Sequence, residues 1–121
     1  MLTHFQILRA VYHLQANSPN QTVRTSDLAT QLNVTGPSAT ARIQELAAAG
    51  LLKYAPRQGA TLTDEGNRLA LMAANRLRMI ERFLKEVLVL SVDSIVAEAE
   101  LFDRFASERV MEGIARFLGT S

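Results

Sequence analysis

From Asp64 to Leu90 the sequence runs without a proline and with a single glycine, Gly66. At 1.5 Å per residue such a stretch can form one unbroken helix of about 40 Å. A helix of that length outreaches a small domain, so the rest of the chain has to be organised around it. Its apolar residues form two stripes, one through Leu69, Ala73, Leu77, Ile80, Leu84 and Val87, the other through Met72, Met79 and Phe83. One stripe can pack on its own chain while the other still needs a partner. Met72, Met79 and Phe83 are therefore expected at a dimer interface.

The remainder also reads as mainly helical. Phe5, Leu8, Val11 and Tyr12 fall at helical spacing, and Asn17-Ser18-Pro19-Asn20 ends that pattern with turn-forming residues. Thr25-Ser26-Asp27 is an expected N-cap cluster for a short helix through Leu32, with Asn33 as its stop. Thr35 or Gly36 can cap the next helix, and Pro37 suits its first turn, where a backbone N–H would be unpaired in any case. That helix runs to about Ala49 and closes at Gly50. Leu51–Tyr54 and Ala60–Leu62 flank Pro56-Arg57-Gln58-Gly59 and read as a hairpin with a glycine in its turn. Beyond the long helix, Ser91-Val92-Asp93 starts a helix with Ile95, Val96, Ala99 and Phe102 facing inward. Ser107-Glu108 starts a last one, with Val110, Met111, Ile114, Phe117 and Leu118 as its stripe.

Two short helices joined by a tight turn and followed by a hairpin make a winged helix-turn-helix. On the second of these helices Ala39, Ile43 and Leu46 share the face that fixes it to a core, which turns Ser38, Ala41, Arg42 and Glu45 outward with Thr40 at the edge. Hydroxyls there can donate to or accept from base edges and phosphates, and Arg42 can reach a guanine or a phosphate. Arg57 at the hairpin tip suits a phosphate or minor-groove contact. Arg24, Ser26, Thr35 and Pro37 complete the expected DNA-binding set.

Charge distribution supports this reading better than the total does. The whole chain has 13 Lys and Arg against 12 Asp and Glu, a formal net charge of +1. Residues 1–62 carry Arg9, Arg24, Arg42, Lys53 and Arg57 against Asp27 and Glu45, a net of +3, and the remainder is −2. The basic part is the one with the helix-turn-helix pattern.

Other classes find less support. Without cysteine there is no disulfide, thiolate zinc site or nucleophilic thiol. There is no Gly-rich phosphate loop and no HExxH, and both histidines, His4 and His13, lie on the first helix, so an enzyme is not expected. Val87-Leu88-Val89-Leu90, the longest aliphatic run, is far short of the roughly 20 residues of a membrane span. The start, Met1 to Gln6, lacks the regions of a signal peptide. A cytoplasmic location with no membrane partner is expected. A winged helix used for protein docking would expose apolar residues where Ser38, Thr40 and Arg42 stand.

The chain also resembles a known family, the iron- and manganese-dependent repressors of the diphtheria toxin repressor type, in particular the shorter manganese transport regulators. The likeness runs through Ile7-Leu8-Arg9-Ala10-Val11-Tyr12-His13-Leu14, Thr25-Ser26-Asp27-Leu28-Ala29, Val34-Thr35-Gly36-Pro37-Ser38, Gly50-Leu51-Leu52-Lys53-Tyr54, Leu62-Thr63-Asp64-Glu65-Gly66 and Glu81-Arg82-Phe83-Leu84, and past Ser107. It implies a winged helix-turn-helix DNA-binding domain over 1–70 and an all-helical dimerisation domain over 71–121. It leads to the expectation that the chain stops where the shorter members stop, without the SH3-like domain of longer ones. It further implies a homodimeric repressor on a palindromic operator of double-stranded DNA.

Carried over position by position, the family's metal site would comprise Gln6, Arg9, Leu77, Glu81, Val96, Glu100, Asp103 and Arg104. The three histidine positions are thus Leu77, Val96 and Arg104. Leucine and valine offer no lone pair, and a guanidinium does not bind a cation. The expectation is a chain with no cofactor, in which Arg104 or Arg9 pairs with Glu81, Glu100 or Asp103 in place of the metal. The alternative is a rearranged site in which Glu81, Glu100 and Asp103 hold manganese or iron.

Overall fold

The structure is a computed structural model that describes residues 3–18 and 20–119; Pro19, expected in the first turn, lies outside the described residues, as does the expected leaderless start at Met1 and Leu2. The element order is α1 (His4–Ala16), α2 (Thr25–Leu32), α3 (Gly36–Ala48), β1 (Leu52–Ala55), β2 (Gly59–Leu62), α4 (Asp64–Glu86), α5 (Val92–Phe105) and α6 (Glu108–Leu118). The chain falls into two units, residues 1–73 and 74–121.

The first unit is built from α1, α2, α3, the hairpin and the start of α4. Helix α1 opens on a capping box, with Thr3 Oγ1 accepting from the Gln6 backbone N–H at 3.2 Å and Gln6 Oε1 accepting from the Thr3 N–H at 2.9 Å. Asn33 takes a left-handed φ of +57° and ends α2; Thr35 then caps α3 by accepting from the Ser38 N–H at 3.2 Å. Ile7, Leu8, Val11, Leu28, Ile43 and Leu46 form the centre of the core.

Two local expectations are corrected here. Thr25, Ser26 and Asp27 lie inside the first turn of α2, and the N-cap is Arg24, which makes no side-chain capping bond. The cause is a bridge the sequence pattern does not announce: Val23 and Ala60 exchange both backbone hydrogen bonds at 2.8 Å, so Val23 is held extended beside β2 and the helix begins two residues later. Gly59 is strand, paired with Ala55 in the β1–β2 ladder, and not the turn residue. A Cβ on Gly59 would stand 2.6 Å from the Val23 carbonyl oxygen. Arg57, with φ of +75°, takes the left-handed position in the tip instead.

In the second unit Ile80, Leu84, Ala99, Met111 and Ile114 are buried together, with Leu77, Met79, Phe83, Phe102 and Leu118 packed around them. The rings of Phe83 and Phe102 lie 6.4 Å apart. Helix α4 ends at Glu86, four residues short of the expected stop, which makes it about 34 Å long. The N–H groups of Leu88 and Leu90 reach back to Phe83 and Leu84, at 3.3 and 3.0 Å, and Val89 takes φ of +56°. That turn folds Leu90 back onto the unit's core. Val96, Val110 and Phe117, expected to face inward, are exposed. Each stands one residue from one that packs on the core, and one residue is about 100° around a helix, so the inward lines are Ile95–Ala99–Phe102 and Met111–Ile114–Leu118. Among the described residues no helix is long and apolar enough to cross a membrane.

Candidate nucleic-acid interface

Helix α3 is fixed by Ala39, Ile43 and Leu46, each fully buried, and the opposite face is open. Thr35, Pro37 and Ala41 are exposed, while Ser38, Thr40 and Arg42 are half-buried along the helix margins. The capped N-terminal end carries the positive end of the helix dipole, and small hydroxyl side chains leave room for a close approach. Arg24 and Ser26 are exposed at the start of α2, and Arg57 is exposed at the tip of the hairpin. The hairpin is pinned to the helices at two points, the Val23–Ala60 bridge and Gln15, whose Oε1 accepts from the Leu62 N–H at 3.0 Å. All eight candidate DNA-binding residues therefore belong to one unit.

Sequence reasoning missed what Arg42 touches. Its Nη1 lies 3.3 Å from Glu45 Oε1, and Glu45 Oε2 lies 3.8 Å from Nε2 of His4 at the start of α1. The spacing of three residues on one helix was the available signal.

In the second unit the candidate metal residues are dispersed. Glu100 is exposed, Glu81 is half-buried, and among the described residues no three His, Asp or Glu side chains come together as a metal site. Asp103 is engaged by Arg76, a residue the sequence pattern does not single out. Arg76 Nε donates to Asp103 Oδ1 at 2.7 Å, Nη1 to Glu108 Oε1 at 3.2 Å, and Nη2 to the backbone carbonyls of Asp103 and Ala106 at 3.2 and 2.6 Å. Arg9 is buried in the first unit and Arg104 is exposed near the end of α5. Leu77 packs on the core and Val96 faces outward, so neither position offers a donor. The donors present do not fit a histidine-based site.

Of the expected dimer contacts, Met72 is exposed, whereas Met79 and Phe83 are half-buried against their own unit's core. The most exposed large apolar residues of this unit are Phe105 at 86%, Val89 at 78%, Val92 at 76% and Phe117 at 71%.

Residues 5–60 match the family described as iron dependent repressor, N-terminal DNA binding domain, and residues 63–121 match its metal binding and dimerisation domain. Over 96 residues the chain is 33% identical to transcriptional regulator MntR of Escherichia coli O6:H1, covering 78% of this chain and 60% of the relative. It is 28% identical to iron-dependent repressor IdeR of Mycobacterium tuberculosis H37Rv over 111 residues, 92% of this chain and 47% of the relative. The chain thus spans about half to three-fifths of the curated relatives it matches. A solved manganese-dependent transcriptional repressor in complex with manganese superposes with a TM-score of 0.86 at 32% identity, covering 98% of this chain and 54% of that one. The structure of ScaR with bound Zn2+ superposes with a TM-score of 0.80 at 26% identity, over 99% and 55%.

These matches correct the expectation of a chain with no cofactor, because the domain that residues 63–121 match is described as metal binding and its solved relatives include metal-bound forms. The winged helix-turn-helix with a following helical domain, and a regulator in place of an enzyme, are the fold and class of these relatives. With both of its domains matched in order along the chain, this protein belongs to the iron dependent repressor family of DNA-binding transcriptional regulators.

Proposed function

We propose that the protein acts as a homodimeric transcriptional repressor on a palindromic operator. Each copy would present the N-terminal half of α3 to the major groove, with Ser38, Thr40 and Arg42 toward base edges and Arg24, Ser26, Thr35, Pro37 and Arg57 toward the backbone. The open, polar, capped face of α3 carries this reading. Two-fold symmetry would set the half-sites about one DNA turn, roughly 34 Å, or a multiple of it apart. Residues 1–70 would read DNA and 71–121 would dimerise, with Met72, Met79 and Phe83 contributing beside the exposed apolar residues of α5 and α6.

In the same reading the histidine form of the family's metal-sensing site is lost. Leu77 and Val96 supply no donor, and Asp103 is held by Arg76. Metal acting on this chain has to be held by other groups.

Selection from a randomised duplex pool, followed by footprinting, tests the proposal. Enriched duplexes should carry an inverted repeat, and Arg42→Ala should weaken binding to them and relax the sequence preference. Enrichment of no common sequence would overturn it.

A further inference from the structure

Glu45 is a carboxylate on the open face of α3. Arg42 and Glu45 are the only charged residues in the helix, so its formal charge is zero. A free carboxylate there would be repelled by phosphates and would weaken binding to any DNA. Glu45 is not free. Its Oε1 accepts from Arg42 Nη1 at 3.3 Å, and its Oε2 stands 3.8 Å from His4 Nε2 at the start of α1.

We infer that Glu45 is a specificity-determining residue of the DNA-reading helix, holding Arg42 for base-edge contact and cancelling its attraction to phosphate. This rests on the reading of α3 as the DNA-facing helix. A guanidinium has five N–H donors in a planar fork. With one Nη1 hydrogen given to Glu45, the rest of the fork can still meet two acceptors side by side, the pattern guanine presents with O6 and N7. A lone arginine binds phosphate equally well in every sequence, whereas one carrying its own carboxylate gains little from phosphate and keeps its hydrogen-bond geometry for bases. Non-specific attraction then falls to Arg24, Lys53 and Arg57, outside α3.

The experiment compares the full chain with Glu45→Gln, Arg42→Ala and the double variant, on the duplex that the full chain enriches best and on the random pool. Glu45→Gln keeps the shape of an exposed side chain and removes its charge. It should bind the random pool several-fold more tightly, with a salt slope steeper by about one unit. Its preference for the enriched duplex should fall about tenfold. In the Arg42→Ala background the same substitution should leave that preference unchanged, since no arginine remains to be held. If Glu45→Gln changes neither slope nor preference while Arg42→Ala weakens binding, the inference fails and the DNA-facing role of α3 stands. If neither substitution changes binding, the reading of α3 itself fails.

Discussion

Arg76 Nε donates to Asp103 Oδ1 across 2.7 Å, joining α4 to the last turn of α5, and the same guanidinium reaches the carbonyls of Asp103 and Ala106. Asp103 is nearly buried, its side chain 8% exposed, and Arg76 is three-quarters covered. Two backbone acceptors at a helix end are thereby satisfied by one side chain. Removing the arginine takes one donor from the carboxylate and from each of the two carbonyls. Arg76→Met should cost about 2–3 kcal/mol, and Asp103→Asn about 1–2, because the amide still accepts. Urea titrations with unchanged slopes would measure both; equal, near-zero losses would show the corner holds without the pair.

Gly66 sits in the first turn of α4, where a Cβ would be 1.9 Å from the Leu51 carbonyl oxygen. Its contact is with backbone, which cannot rotate away. Gly66→Ala should destabilise by more than about 2 kcal/mol. Gly36→Ala is the control: nothing lies within 4 Å of its Cβ position, and the change should be neutral or stabilising by up to about 1 kcal/mol. Thermal melts of the two variants should separate in opposite directions.

Val89 holds a β-branched side chain at φ +56° while 78% exposed. It carries backbone strain with little burial to offset it. Val89→Gly or Val89→Asn should raise stability by about 1 kcal/mol, and a lowered melting temperature in both would contradict the strain.

Glu65 and Glu86 each accept a hydrogen bond from an arginine one turn away, Arg68 after Glu65 and Arg82 before Glu86, which holds both carboxyls below their ordinary pKa. Since the folded value is the lower one, their contribution is present above the ordinary carboxylate range and is lost as pH falls through the lowered values. Both side chains are exposed, so the effect is small. The Glu65→Gln, Glu86→Gln double variant should show a slightly flatter melting temperature than the parent as pH falls through and below the ordinary carboxylate range.

Phe105 and Phe117 bring large rings to the surface of the second unit. Phe105→Ser with Phe117→Ser should shift the protein toward monomer in sedimentation without lowering monomer stability, because neither ring is part of the core. Met79→Ala and Phe83→Ala should instead cost about 2–4 kcal/mol in stability, since both pack on their own unit. A dimer unaffected by the serine pair would remove those rings from the interface.

The elements themselves were legible, because proline, glycine and capping residues mark their ends and apolar spacing marks their inward faces. Thr35, Pro37 and Gly50 bound α3 as residue chemistry dictates. What could not be read depended on contacts between distant segments. The Val23–Ala60 bridge moved the start of α2, and nothing local to either residue signals it. Val96 and Phe117 were misassigned because an apolar side chain one step off a helix's inward line looks the same in sequence as one on it. At the candidate sites the residue types on α3 were readable. The partners were not, since Glu45 and Arg76 act through geometry that spacing only permits.

The segment between Asn17 and Thr22 lies between two anchors on the same strand, Gln15 on Leu62 and Val23 on Ala60. Its two ends are thus registered to β2 independently of what joins them. A peptide tag or fluorescent reporter inserted there should leave the hairpin's position unchanged, which makes this loop a place to label the protein without disturbing the proposed DNA-facing surface.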